Sequence, residues 1–164
     1  SSDTVMTQSV GPGHLIFNPN TYLDRAFYIV GGKVHYTHTD GDDGAMAFVS
    51  ATAGTLPSSK EELKEVGRTQ WLANLALWTH WKSQGLAESV GHGELMLVRA
   101  EGFAAVLKRH RSVAAIVQDY AKTLVQVIKD ETPLLSDLSS MMKVDSDRLI
   151  CSMPQKTRLK LSLP

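Results

Sequence analysis

The residue types that carry most protein chemistry are present in this chain, but their spacing builds no familiar metal site. Asp40, Asp42 and Asp43 alternate with glycines as in a calcium loop. The terminal Glu that an EF-hand loop requires does not follow, so this run predicts a solvated hairpin turn. His35 and His38 are three positions apart and would point to opposite faces of a strand. We therefore expect no metal ion.

Nucleophilic catalysis finds no support in the sequence either. Cys151 is the only cysteine, and no catalytic motif surrounds it. No G-x-S-x-G, P-loop or G-x-G-x-x-G motif is present. The sequence therefore predicts a protein that is not an enzyme and has no catalytic residue. A single cysteine also excludes an intramolecular disulfide and favours a reducing, cytoplasmic location.

The bulk composition restricts the choice of partners. The 164 residues suit one domain with a sizeable core. Lys plus Arg and Asp plus Glu both total 17, so the formal net charge is zero and no basic footprint for nucleic acid is present. A short basic run at residues 108–111 is interpreted as a solvated helix junction, with docking of an acidic partner as the alternative. No stretch approaches the roughly 20 apolar residues of a membrane span.

Apolar and β-branched runs separated by turn residues predict strands through the first hundred residues. Gly31 and Gly32 form a tight turn between two of these runs. Residues 51–68 interrupt the pattern and are predicted to be an insertion with a short helix, capped by Ser58 or Ser59 and ended by Gly67. The predicted strands are residues 13–17, 26–30, 33–38, 45–50, 70–78, 86–90 and 94–98.

Helical periodicity begins after Ala100. A short helix around Phe103 is followed by a long amphipathic one at residues 112–129, capped by Ser112 and ended by Pro133. Residues 134–142 predict one more short helix. The alternating residues 158–163 predict an edge strand. Since no pair of helices joined by a glycine turn is expected after Pro133, DNA binding is not supported.

Strands followed by helices predict an α+β fold: an antiparallel β-roll, a jelly-roll-like barrel of about eight strands, with a C-terminal helical segment. The predicted organisation has three parts. Residues 1–12 form a flexible N-terminal segment, residues 13–130 form the roll with its helices, and residues 131–164 form a C-terminal extension.

Two runs resemble the cyclic-nucleotide-binding domain superfamily. GHLIFNPNTYLDRAFYIVGGKVHY, which starts at Gly13, is similar to the opening strands of that superfamily. ELMLVRAEGF, residues 94–103, is similar to its last strand and the helix that follows. The resemblance implies a phosphate-binding cassette that reads F-G-E-L-A-L-L, followed about ten residues later by R-[ST]-A. In this cassette the Glu accepts a hydrogen bond from the ribose 2′-hydroxyl, and the Arg neutralises the cyclic phosphate.

The matching cassette in this chain is degenerate. It reads Leu72-Ala73-Asn74-Leu75-Ala76-Leu77-Trp78, so Ala73 replaces the Gly and Asn74 replaces the Glu. No Arg lies between Trp71 and Val98; the nearest substitute is Lys82-Ser83, and lysine lacks the planar fork that holds phosphate bidentately. The resemblance implies candidate ligand-binding residues in this degenerate cassette: Leu72, Ala73, Asn74, Leu75, Lys82 and Ser83.

Aromatic residues crowd the same region. Trp71 and Trp78 are interpreted as core residues that fill the barrel. The alternative is that Trp78 or Trp81 fills the pocket or meets a partner, with Tyr120 at the centre of the apolar stripe on the helix at residues 112–129. That stripe covers the roll, or it docks a homodimer partner or a neighbouring domain of a larger chain.

Two functions remain open on this sequence. The first is a non-catalytic regulatory or protein-interaction module that has lost the usual binding of cAMP and cGMP and has no cofactor. The second is a sensor of a small ligand, a cyclic nucleotide or another anion, with altered pocket specificity. A pocket plugged by Trp78, Trp81 or the C-terminal tail favours the first function, and an open pocket with Lys82 directed inward favours the second.

Overall fold

The computed structural model describes residues 4–39, 63–131, 135–142 and 144–161. Within them the chain forms ten strands. In order these are β1 Val5–Val10, β2 Leu15–Phe17, β3 Tyr22–Leu23, β4 Arg25–Gly31, β5 Val34–His38, β6 Leu63–Val66, β7 Trp71–Leu72, β8 Trp81–Lys82, β9 Gly85–Ser89 and β10 Gly93–Arg99.

The strands form two four-stranded sheets and one small ribbon. The first sheet has the order β1-β10-β4-β7, the second has the order β2-β9-β5-β6, and β3 pairs with β8. Every pairing is antiparallel. The buried faces of both sheets contribute to one hydrophobic core. This architecture confirms the predicted α+β class and the β-roll.

Strand β5 shows how the sequence pattern determines the two faces of a strand. Val34, Tyr36 and His38 are buried, whereas His35 and Thr37 between them are partly exposed. Side chains alternate across a strand, so the buried set points into the roll. The two histidines therefore lie on opposite faces, as their spacing predicts.

Five α-helices and one short 3-10 helix accompany the strands in the described part of the chain. They are the 3-10 helix Asn74–Leu77, α1 Ala100–Arg109, α2 Arg111–Glu131, α3 Ser139–Met142, α4 Ser146–Ser152 and α5 Gln155–Leu161. In α2, Leu124, Val127 and Ile128 are buried in the shared core. Near the other end of the helix Val113 is 47% exposed. The apolar stripe of α2 is therefore buried in the shared core along its C-terminal half, and α2 packs mainly against α1 and α4.

The N-terminal segment differs from the prediction. Residues 5–10 lie in the part that was expected to be flexible, but they form strand β1, which pairs along its whole length with β10. The sequence VMTQSV has little alternation of its own. Its strand conformation comes from the free edge of β10, whose backbone groups need partners.

The predicted insertion at residues 51–68 differs as well. Residues 63–66 are strand β6, paired with β5, and not the end of a helix. A strand neighbour supplies hydrogen bonds that a single turn of helix at this position would lack. Ser58, Ser59, the turn at residues 40–44 and the strand at residues 45–50 fall outside the described residues.

The C-terminal region contains more helix than predicted. Residues 158–163 were expected to form an edge strand, but residues 155–161 form helix α5, and α4 was not predicted at all. Helices α4 and α5 do follow Pro133, but Met153 and Pro154 join them, and not the glycine turn of a helix-turn-helix. Thr157 in α5 is buried and donates a hydrogen bond to Asp119 of α2. This contact fixes α5 against α2.

Candidate functional site

The predicted cassette is a single turn of 3-10 helix between two very short strands. Residues 70–78 were expected to form one strand, but only residues 71–72 do so. Ala73 then adopts a left-handed conformation, with φ 53° and ψ 34°, and the 3-10 helix follows. The resemblance places a glycine here, and glycine adopts this conformation freely. Alanine adopts it at a cost of about 1–2 kcal/mol.

The carboxylate of Asp137 lies at the centre of this site. Its Oδ1 accepts a hydrogen bond from Trp81 Nε1 at 2.6 Å. Its Oδ2 accepts from the Tyr36 hydroxyl at 2.9 Å and from the backbone N–H of Gln84 at 2.8 Å. Asp137, in the C-terminal extension, is therefore held by two strands and a loop of the roll.

The backbone around Asp137 is bound to the cassette. The Ala73 N–H donates to the carbonyl oxygen of Asp137 at 2.8 Å, and Leu138 forms an antiparallel bridge with Leu72. Ser136, Asp137 and Leu138 are 0%, 1% and 2% exposed. We call residues 136–138 the plug, because they fill the space beside the cassette with a short, fully buried segment.

Burial and hydrogen bonding act in opposite directions on the Asp137 carboxyl. Burial raises its pKa, and the hydrogen bonds from Trp81, Gln84 and Tyr36 lower it, with a net rise. Burial also raises the pKa of the Tyr36 hydroxyl, and the neighbouring Asp137 raises it further. Because these three donors are neutral, they solvate the carboxylate as water would, without cancelling its charge.

Gly85 permits this close packing. A Cβ atom at this position would fall on the carbonyl oxygen of Thr37 and within 2.8 Å of the Tyr36 ring. Only glycine therefore lets the start of β9 approach β5 this closely, next to the Gln84 N–H that donates to Asp137. Gln84 directly follows Lys82-Ser83, the pair nearest to the expected Arg, and its N–H binds an anion at this corner of the chain.

Several predicted ligand-binding residues occupy other environments. The Lys82 side chain is exposed on β8, beside the buried Trp81. The Ser83 hydroxyl donates to the carbonyl oxygen of Asn18 at 2.6 Å and accepts from the Thr21 N–H at 2.9 Å, so it fixes a loop of the roll. Asn74 Oδ1 is buried without a hydrogen-bond partner among the described residues. Leu72, Ala73 and Leu75 are core residues. A role in ligand binding remains a prediction for all six residues.

The three tryptophans have three different roles. Trp81 is 6% exposed and directs its indole N–H into the site. Trp78 lies between helices, edge-on to Phe103 of α1 at 5.4 Å and to Tyr120 of α2 at 5.2 Å between ring centroids. Trp71 pairs with Tyr28 on the sheet and is only half-buried, so Leu72 and not Trp71 fills the barrel. Trp78 therefore connects the end of the cassette with both long helices.

Sequence reasoning did not identify Asp137, Tyr36, Gln84 or Gly85. Tyr36 reads as an ordinary core residue of a strand. The one available signal was the run Leu134-Leu135-Ser136-Asp137-Leu138, an apolar stretch with an embedded carboxylate beyond the long helix. A charged residue in such a run requires a buried partner, which only the folded roll identifies.

A cavity elsewhere in the roll is separate from the site around Asp137. A cavity of about 410 Å³ is lined by residues of β1 to β4 and β10, including Phe17, Phe27 and Leu95, and by none of the groups that hold Asp137. The described residues contain no cluster of three His, Cys, Asp or Glu side chains that could hold a metal ion. No helix in the described part of the chain is long and apolar enough to cross a membrane.

Neither a protein-family model nor a curated protein matches this chain. Solved structures match it in fold. An EAL enzyme in its half-site-occupied form gives a TM-score of 0.55 at 14% identity, covering 74% of this chain and 96% of that one. The C-linker and CNBHD of zELK channels, crystallised in the presence of cAMP, gives 0.51 at 12%, covering 83% and 54%. cAMP-bound PfPKA-R gives 0.51 at 18%, covering 79% and 41%.

These similarities identify the fold as the cyclic-nucleotide-binding type of β-roll, as the sequence resemblance implies. Because the sequence identities are below 20%, these matches show the fold alone. The roll occurs in an enzyme, in a channel and in a cAMP-bound protein, so function has to be argued from the site of this chain.

Proposed function

We propose that this chain is a non-catalytic regulatory or protein-interaction module whose nucleotide-type pocket is occupied by its own plug. The plug takes the place of a soluble ligand, so the module does not depend on cAMP or cGMP. A cytoplasmic location and the absence of catalysis belong to the same proposal.

One observation carries this proposal: the Asp137 carboxylate accepts hydrogen bonds from Trp81, Tyr36 and the Gln84 backbone. A carboxylate and a phosphate are both oxyanions, and both are bound by converging N–H and O–H groups. The corner that directly follows Lys82-Ser83, the pair nearest to the Arg that the resemblance implies, therefore already holds an anion that the chain itself supplies.

The contacts of Trp78 supply a route from the pocket to the helices. The plug binds Ala73 at the start of the 3-10 helix, and Trp78 follows the end of that helix. Trp78 in turn touches Phe103 of α1 and Tyr120 of α2. A change in the plug would therefore alter the packing of both helices against the roll. We propose that this change in helix packing transmits the state of the pocket to a partner copy or a neighbouring domain.

Isothermal titration of cAMP and cGMP into the wild-type chain and the Lys82→Ala variant tests the proposal. We expect no binding heat from either protein up to millimolar nucleotide. Asp137→Ala should behave in the same way, because its open pocket still lacks a cation for the phosphate. Micromolar binding to the wild-type chain would refute the proposal. Loss of that binding in Lys82→Ala would then assign the role of the missing Arg to Lys82.

Asn74 favours a second candidate function, the sensor of a small ligand. Its buried Oδ1 has no partner among the described residues, and an unmatched buried acceptor costs about 1–3 kcal/mol. A ligand hydroxyl or amine would supply the missing donor. Screening polar small molecules for thermal stabilisation, with Asn74→Ala as the control, tests this candidate. A compound that stabilises the wild-type chain but not the variant would support it.

A further inference from the structure

The contacts of the plug are contacts that a peptide makes, not those of a nucleotide. They consist of one backbone carbonyl bound by Ala73, one carboxylate, and one leucine side chain that is 2% exposed. The bridge between Leu138 and Leu72 lies on β7, the edge strand of its sheet. A short segment that pairs with a sheet edge and inserts a side chain into a pocket is the mode of recognition called β-strand addition.

The chain leaves the pocket toward solvent on both sides of the plug. Leu135 is 39% exposed and Ser139 is also exposed, whereas Ser140 accepts a hydrogen bond from Lys64 and Met141 packs against the core, so the fully buried contacts centre on residues 136–138. None of the pocket contacts depends on the covalent link to α2. A segment of another chain with the same three residues would make the same contacts, with its flanks in solvent.

We infer that the pocket is a receptor for a short acidic peptide in which Asp is followed by Leu, supplied by a partner protein in competition with the plug. This inference rests on the proposed function, because it treats the plug as a bound ligand. The Asp is selected by Trp81 Nε1, the Tyr36 hydroxyl and the Gln84 N–H, which converge on one carboxylate. The Leu is selected by the core beneath Leu72.

Competition explains how such a receptor would be controlled. A tethered segment acts at an effective concentration in the millimolar range, so the plug holds the pocket against dilute peptides. A partner must present its peptide at high local concentration, or gain affinity from contacts outside the pocket. Weakening the plug should therefore reveal binding that the wild-type chain conceals.

The test uses the full chain with Asp137→Asn, which keeps the shape of the plug and removes its charge. The probe is a synthetic peptide with the sequence of residues 135–142, and the readout is the NMR signal of the Trp81 indole N–H, which donates to Asp137. We expect this signal to shift in the variant and to return toward its wild-type position as the peptide is added. The melting temperature should rise by about 3–6 °C at roughly tenfold excess over the dissociation constant.

A matched peptide with Asn in place of Asp is the control, and it should bind at least tenfold more weakly, as loss of a charged hydrogen-bond acceptor requires. If the variant folds but its Trp81 signal does not shift when the Asp peptide is added at millimolar concentration, the inference is overturned. Equal binding of both peptides would overturn it as well.

Should Asp137→Asn fail to fold, the same peptide carrying a spin label is added to the wild-type chain at about ten millimolar, above the effective concentration of the tethered plug, so that the plug cannot conceal its binding. Broadening of the Trp81 and Gln84 signals supports exchange with the plug, and unchanged signals overturn it. The two proposals fail separately. Nucleotide binding to the wild-type chain would refute the proposed function. If neither the nucleotide nor the peptide binds, only the inference that the pocket is a peptide receptor is refuted.

Discussion

Trp81 Nε1 and Asp137 Oδ1 are 2.6 Å apart, although 56 positions separate the two residues in the sequence. The indole belongs to the segment that resembles a phosphate-binding cassette, and the carboxylate belongs to the C-terminal extension. Their hydrogen bond joins the two regions inside the core, where neither group has access to water. The pocket and the extension therefore form one structural unit.

Replacing Asp137 with alanine should destabilise the protein. The change leaves Trp81 Nε1, the Tyr36 hydroxyl and the Gln84 N–H without their acceptor, and buried unmatched donors are costly. We expect a loss of about 2–3 kcal/mol in the free energy of unfolding, measured by urea denaturation. Asp130→Ala is the matched control, because Asp130 is exposed and contacts Gln126 at the surface. Equal losses in both variants would contradict the central role of Asp137.

The pH dependence of stability should carry a signature of Asp137. Its pKa is raised by burial, so the folded state binds a proton more tightly than the unfolded chain does. The Asp137 contribution is therefore fully present below its unfolded pKa, near 3.8, and is lost as the pH rises through the folded value. We compare urea denaturation of the wild-type chain with that of Asp137→Asn, which cannot ionise.

Other carboxylates have a lowered pKa and contribute a pH dependence of the opposite sign. Only the difference in stability between the wild-type chain and Asp137→Asn is therefore informative. Asp24, whose pKa is lowered mainly by its hydrogen bond to Arg25, should favour the folded state as the pH rises. Relative to Asp137→Asn, the wild-type chain should lose stability as the pH rises above about 4. A constant difference across the pH range would show that Asp137 does not titrate in the way its burial implies.

Substituting Trp78 should loosen both long helices. Trp78→Ala removes two ring contacts, each contributing about 0.5–1.5 kcal/mol beyond burial. Amide hydrogen exchange in α1 and α2 should become faster, whereas exchange in the paired strands β4 and β10 should change little. Trp71→Ala is the matched control, since its ring contact is with Tyr28 on the sheet. Faster exchange in α2 for both variants would contradict a specific link through Trp78.

Lys82 and Ser83 are adjacent, yet their substitution should have different effects. Lys82→Ala removes an exposed side chain and should change the free energy of unfolding by less than about 0.5 kcal/mol. Ser83→Ala removes a buried hydroxyl that bonds to the Asn18 and Thr21 backbone, and should cost about 1–3 kcal/mol. Thermal and urea denaturation of the pair measure both values. A large loss of unfolding free energy in Lys82→Ala would show that the lysine side chain makes stabilising contacts in the folded protein.

The sequence by itself determined the roll and its long helix. Alternation in β4 and β5, the turn at Gly31 and Gly32, and the periodic stripe of α2 are local patterns, and each is repeated in the folded chain. The degenerate cassette was also visible as Ala73 and Asn74 in place of Gly and Glu. Local patterns of this kind are reliable because hydrophobic periodicity and turn geometry act over neighbouring residues.

Only the tertiary structure decided what occupies the pocket. Tyr36 and Asp137 are 101 positions apart, and nothing in either local sequence specifies the other as its partner. The same holds for β1 and α5: β1 is fixed by the edge of β10, and α5 by the contact of Thr157 with Asp119. Buried polar groups must find partners wherever the fold brings them, so their pairing is a property of the packed chain and not of any segment of it.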